Sequence, residues 1–338
     1  THPEISMRQS YCATSAKYRF FASRIVRKMA EAFRDCPAIE CWQLDNELHI
    51  VAATRLCVCA ECTAGFRNWL KARYGTLENL NTAWNEAFWS SRFSCWEDIR
   101  PPFRGRAAWR RAYAQYQSDM YSSFVLGHRD ILRAANPKWR ITTNGSEMSG
   151  WIRLDNLYRD LGYAACDTYC GTESYQRASW MWNLSRSLAG GRKPWTVAET
   201  GAFNWSSDET DADEAIVPWF WSAMLHGAEN YCFFRWRHSV MGEDDHPAIL
   251  PWSGKPGVLY ARVKRLIADY RTRGEGIDPM PPASPVAIIH DAAADQFELI
   301  RHDKIQFGPY EDHNMCISEA IERLGIIPDI VPASDFGD

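Results

Sequence analysis

The stretch Ala38–Glu47, AIECWQLDNE, decides the fold. Its first seven residues, Ala38–Leu44 (AIECWQL), follow the breaker Pro37 and read as a short buried strand. They run directly into Asp45, Asn46 and Glu47, so this strand ends on two carboxylates and an amide. Upstream, Ser15–Phe33 sets Tyr18, Phe21, Ala22, Ile25, Met29 and Ala32 at helical spacing with Arg and Lys between them, the pattern of an amphipathic helix. Downstream the alternation continues with a helix near Thr63–Tyr74, a long helix near Ala107–Ala135 and the strand Trp139–Asn144 (WRITTN). Further strands are predicted at Ala164–Tyr169 (AACDTY), Pro194–Glu199 (PWTVAE) and Ala228–Arg235 (AENYCFFR), with helical patterns between them. Helix-sized segments separating buried strands imply parallel βαβ units. Polar or charged residues at the C-terminal end of each strand point to a (β/α)8 TIM barrel, whose active site lies on that face.

The proline-dense stretch Ile277–Pro285 (IDPMPPASP) marks a linker. It divides a barrel domain over residues 1–276 from the start of a second, small α/β domain over 284–338. In that second part Val286–His290 (VAIIH) has a buried-strand pattern, and Ile317–Leu324 followed by Gly325 reads as a helix leading to the strand Ile326–Val331.

Composition narrows the function classes. Of 338 residues, 46% are hydrophobic and 24% charged, enough to bury a core. A formal charge of −4 without basic runs lacks the electrostatic footprint of a nucleic-acid binder. No apolar run approaches the ~20 residues of a membrane span, and Thr1–Ser10 has no signal-peptide core. Eleven cysteines in a chain this long suit a mostly reduced set and a cytoplasmic location. Sixteen Trp and fourteen Tyr exceed what a core needs, and aromatic faces stack on the C–H faces of sugar rings.

Glycoside hydrolysis with retention needs one carboxyl group to protonate the leaving oxygen and a second to attack the anomeric carbon, about 5–5.5 Å apart. Glu47 and Glu199 each close a predicted strand, and a closed parallel barrel brings strand ends to one rim. A Glu at a strand end also serves as an ordinary surface or salt-bridge residue, so the pair needs independent support. The segments CWQLDNELH (Cys41–His49), FRNWLKARYGTLENLNTAWNEAFWS (Phe66–Ser90), AETGAFNW (Ala198–Trp205) and ENYCFFRWRHS (Glu229–Ser239) supply it. In the same order along the chain, they resemble family 42 of the glycoside hydrolases, the barrel-type β-galactosidases.

The resemblance implies cleavage of terminal β-D-galactosides by double displacement, with Glu47 as general acid/base and Glu199 as nucleophile. It implies that Asn46 donates to the sugar 2-hydroxyl, a contact that strengthens as the oxocarbenium ion develops. Trp89, Tyr169, Trp205 and Phe233 are expected to line the galactose subsite, and Glu243 and His246 to hold galactose hydroxyls. Two departures touch the rim: Asn46-Glu47-Leu48-His49 stands where the family usually has Asn-Glu-Tyr-Gly, and the interval from Glu199 to Trp205 is short. By this alignment Ala38–Glu47 is the fourth barrel strand. Strands four to eight are then present, and the first three βα units are expected before Thr1, making this a truncated barrel. A homotrimer of the full-length protein, assembled partly through the second domain, is also implied.

Cys57, Cys59 and Cys62 form C-x-C-x2-C, a spacing dense enough to clamp a tetrahedral ion. Three thiolates need a fourth ligand, and the resemblance offers Cys12 in SYCATS. Zinc held by four cysteines has no open position, so it is expected to be structural and to pin the loop after Glu47. Free thiols are the competing reading there and the expected state of Cys36, Cys41, Cys95, Cys166, Cys170, Cys232 and Cys316. Three other functions stay open on sequence alone: an α-L-arabinopyranosidase on the same scaffold, a non-catalytic carbohydrate-binding protein, and a zinc-dependent hydrolase.

Overall fold

Seventeen regular elements, in chain order, carry the architecture among the residues described by the computed structural model: 11–48, 57–102, 106–145, 152–169, 174–189, 193–201, 212–239, 241, 248–274, 277, 283–301 and 309–336. They are α1 (Ala16–Phe33), β1 (Cys41–Gln43), α2 (Ala60–Tyr74), α3 (Leu77–Ala83), α4 (Ala107–Ala135), β2 (Arg140–Thr142), α5 (Leu154–Leu161), β3 (Ala164–Asp167), α6 (Tyr175–Leu188), β4 (Trp195–Thr200), α7 (Ala212–Leu225), β5 (Ala228–Phe233), α8 (Val258–Asp269), β6 (Ala287–His290), α9 (Ala292–Arg301), α10 (Pro309–Glu322) and β7 (Asp329–Pro332). The chain divides into two compact units. One gathers the described residues of 1–141, 148–157 and 292–310; the other those of 142–147, 158–291 and 311–338.

In the first unit the sequence periodicity builds the core. Cys62, Phe66 and Leu70 recur every fourth residue on α2 and are fully buried against Tyr113 and Tyr116 of α4. Burying an apolar side chain of this size contributes about 1.5–3 kcal/mol. Gly65 lets the two helices close up, because a Cβ there would overlap the Tyr116 hydroxyl. Ser15 caps α1 by accepting from Tyr18 N at 3.5 Å. Arg19 ties that helix to α4, donating to Met120 O and Ser123 Oγ at 2.8 Å each. Phe21, Ile25 and Met29, the apolar stripe predicted on α1, stay exposed among the described residues. The strand expected over Ala38–Leu44 narrows to the three residues of β1, which pairs with β2. It stops there because Asp45 (φ 60°) and Glu47 (φ 42°) turn the backbone into the left-handed region.

In the second unit β3, β4 and β5 form a parallel sheet in that order. The central strand buries Trp195 and Val197, and α6 is buried along Ala178–Leu188. Parallel strands joined through helices are the predicted βαβ pattern. β6 and β7 form a second parallel pair. It is held to α6 by Arg186, which donates to Asp329 Oδ1 and Pro328 O at 3.0 Å each. Residues 278–282 of the proline-rich linker lie outside the described residues.

Candidate active site

Three side chains crowd the end of β1 in the first unit. Glu47 is 4% exposed, and Asn46 Nδ2 donates to its Oε2 at 3.4 Å. Asp45 steadies the turn: its Oδ1 accepts from Asn46 N at 2.8 Å, and its Oδ2 accepts from the Tyr11 hydroxyl. Burial, aided by the Asp45 charge, pushes the Tyr11 phenol far above its ordinary range, so it stays a donor. Two non-glycine departures into positive φ, one on each side of Asn46, store local backbone strain at this turn. Trp89 also has positive φ (55°), is 87% exposed and rests on Phe88 with ring centroids 5.1 Å apart. An indole left this bare is free to take up a sugar face.

Glu199 stands one residue before the end of β4 in the second unit, and each of its oxygens has a donor. Oε1 accepts from Asn144 Nδ2 at 3.2 Å and Oε2 from the Tyr169 hydroxyl at 2.7 Å. The register explains how a second acid arrives there. Cys166 pairs with Val197, but Asp167 pairs with Glu199, skipping Ala198. This irregularity sets two carboxyl groups side by side across the sheet, their oxygens within 4.8 Å. Asn144 Nδ2 bridges them, donating also to Asp167 Oδ2 at 2.7 Å. The sequence pointed to neither residue as part of a site: Asn144 closes the predicted strand Trp139–Asn144, and Asp167 lies within Ala164–Tyr169. Phe233, by contrast, packs beside the buried cluster of Ile216, Ile249 and Val263. Trp205, Glu243 and His246 lie outside the described residues.

The sulfurs of Cys12, Cys57, Cys59 and Cys62 come together in the first unit, all within 4.8 Å of one another. Cys12 Sγ is 3.4 Å from Cys62 Sγ and 3.6 Å from Cys59 Sγ. A tetrahedral ion with Zn–S bonds of about 2.3 Å sets its sulfurs about 3.8 Å apart, so the spacing fits. Cys59 also caps α2, its Sγ accepting from Cys62 N at 3.4 Å. Hydrogen bonds from Cys57 and Cys62 pull the Cys12 thiol down, and the same bonds push the Cys57 thiol up to about 12 and the Cys62 thiol well up. Sulfurs packed this way resist ionising together unless a cation lies among them.

Parallel strands that end on carboxylates and their donors define the class: an α/β protein with acidic centres at its strand ends. The chain belongs to glycoside hydrolase family 42, whose sequence profile, described as beta-galactosidase, matches residues 1–272. Beta-galactosidase LacZ of Heyndrickxia coagulans is 31% identical over 296 residues, covering 84% of this chain and 44% of that protein. The crystal structure of a beta-galactosidase from the psychrophilic Marinomonas ef1 superposes with a TM-score of 0.85 at 26% identity, over 95% of this chain and 54% of that one. A beta-galactosidase of Halorubrum lacusprofundi gives a TM-score of 0.85 at 27% identity, over 95% and 51%. The chain thus spans about half the length of the relatives it matches. Among the described residues no helix is long and apolar enough to cross a membrane.

Proposed function

We propose that the protein is a retaining β-galactosidase in which Glu199 attacks the anomeric carbon and Glu47 is the general acid/base. The observation that carries this is Glu199 itself, a strand-end carboxylate with a donor on each oxygen. Donors at both oxygens hold the plane of the carboxylate in place, as attack on one fixed carbon requires. In the first step Glu199 bonds to the anomeric carbon while Glu47 gives its proton to the departing oxygen. In the second, Glu47 takes a proton from water, whose oxygen displaces Glu199 and restores the original configuration. Membership of family 42 and relatives named as beta-galactosidases support the galactoside over the arabinopyranoside.

The same reading extends to architecture and assembly. The parallel strands are arcs of a (β/α)8 barrel, the four cysteines hold a structural zinc, and the protein works in the cytoplasm as a homotrimer on β-galactoside oligosaccharides. Zinc there supplies no chemistry to the sugar; Cys12, Cys57, Cys59 and Cys62 fill its coordination sphere and fasten the α2 N-terminus to the segment before α1.

Azide separates the two glutamates. Glu199→Ala should lose activity for every leaving group, and azide should restore turnover with an inverted galactosyl azide. Glu47→Ala should still be glycosylated by an activated aryl galactoside, and azide should give the retained product because it needs no general base. Swapped products would reverse the roles. Unchanged hydrolysis in both variants would end the enzymatic reading.

A further inference from the structure

We infer that Asn144 and Asp167 are positioning residues for Glu199, with Asp167 anchoring the Asn144 amide and the amide holding one oxygen of the Glu199 carboxylate. The inference rests on Glu199 being the nucleophile. Asn144 and Asp167 are 0% and 1% exposed, so their hydrogen bonds form away from bulk water. The amide has acceptors on both sides, Asp167 Oδ2 at 2.7 Å and Glu199 Oε1 at 3.2 Å. Only its NH2 edge satisfies two carboxyl oxygens at once, which fixes the orientation without ambiguity.

The backbone that carries these groups is fastened as tightly. Gly145 N donates to Ala165 O at 3.1 Å, and Asp167 N donates to Gly145 O at 2.8 Å, stitching the segment after Asn144 to β3. The Tyr158 hydroxyl donates to Thr143 O at 2.8 Å from beneath. Thr168 N donates to Glu199 O at 3.0 Å, so the residue after Asp167 also grips the nucleophile's own peptide. With the register irregularity that sets Asp167 opposite Glu199, these bonds leave the two carboxyl groups little freedom to separate. Two like charges this close repel, and a shared donor offsets that repulsion. Asp167 therefore orients the donor through Asn144, and its own carboxyl lies close enough to act on Glu199 directly.

The test reads Glu199 directly. The chain is labelled with 13C in its glutamate carboxyls, and the Glu199 resonance is assigned by its loss in Glu199→Gln. In Asp167→Asn, nearly isosteric, the pH at which this resonance moves should fall by about one unit as a neighbouring charge is removed. In Asn144→Ala it should rise by about one unit, because a donor to the charged form is lost. Asn144→Gln, which keeps the amide, should return it part of the way. A purely structural pair would lower thermal stability and leave the midpoint in place, so midpoints within about 0.3 unit of the parent in both variants would overturn the inference. Should Asn144→Ala fail to fold, Asp167→Asn decides alone. A 2-fluorogalactosyl fluoride that labels another residue would refute Glu199 as nucleophile while leaving the midpoints to decide the positioning role.

Discussion

Tyr169 donates its phenolic hydrogen to Glu199 Oε2 at 2.7 Å. The loop after β3 thus reaches the end of β4, and a residue expected to line the sugar subsite is bonded to the proposed nucleophile. Tyr169→Phe deletes the donor and keeps the ring. A hydrogen bond to a charged group contributes about 1.5–3 kcal/mol, so kcat toward an aryl β-galactoside should fall about 10- to 100-fold. KM should change less, since the ring still packs. Steady-state kinetics check this, and a parental kcat in Tyr169→Phe would remove the hydroxyl from the mechanism.

The four-cysteine cluster should hold about one zinc per chain, as elemental analysis of the purified protein would measure. Cys62 is fully buried, and Cys62→Ser should lose the metal and lower the melting temperature. Chelator should act on stability before it acts on turnover, because a site of four thiolates has no open position for substrate. Protein that carries no zinc, and whose melting temperature is indifferent to both chelator and Cys62→Ser, would return these residues to ordinary thiols.

The helices were the most legible part of the chain. α4 spans Ala107–Ala135 as its periodicity predicts, because Tyr113, Tyr116, Phe124 and Leu132 bury one face over about five turns. Strand cores were legible too, since Ala164, Ala165, Cys166, Trp195, Val197 and Ala228 supply the apolar side chains that the sheet buries. Their ends were less so. β1 stops at Gln43 where the apolar run continues to Leu44, and nothing local in LDNE announces positive φ at Asp45 and Glu47. α9 went unread because AAADQFELIR follows a strand and its packing on α4 is a tertiary fact. Asn144 closed a predicted strand and Asp167 lay within one, yet what brings Asp167 beside Glu199 is a shift in pairing between Cys166 and Asp167. Register is decided by the neighbouring strand and leaves no trace in one strand's own residues. Cys12 was reachable only by resemblance, because its partners lie beyond any local spacing.

His226 should make folding stability depend on pH between about 4 and 6.5. It ends the turn after α7, with Nδ1 bonded to Ser222 O at 2.6 Å and Nε2 to Ser179 Oγ at 3.1 Å. Since a carbonyl only accepts, Nδ1 carries the proton, and Nε2 is the nitrogen that takes up a second one when the ring titrates. Its own carbonyl accepts from Arg186 Nη1 at 3.0 Å, and Trp182 covers the ring at 5.3 Å. Burial, with the Arg186 charge adding to it, pulls the imidazole down to about 4 from its ordinary 6.5. Above pH 6.5 the ring is neutral folded or unfolded and contributes nothing to the pH dependence. Below it the unfolded chain takes up a proton that the folded chain refuses, so stability falls as pH drops and levels off near 4. The full loss is about 3 kcal/mol at most. Glu322, which the Ser179 hydroxyl also contacts, is pushed up by burial and has the opposite sign, losing stability as pH rises through its folded value. It is present in both proteins when the parent is compared with His226→Gln, so the difference isolates the imidazole. Urea unfolding at several pH values should give a curve for His226→Gln that is flatter than the parent's between 4 and 6.5. Parallel curves over that window would mean that His226 takes up its proton in the folded chain as readily as in the unfolded one.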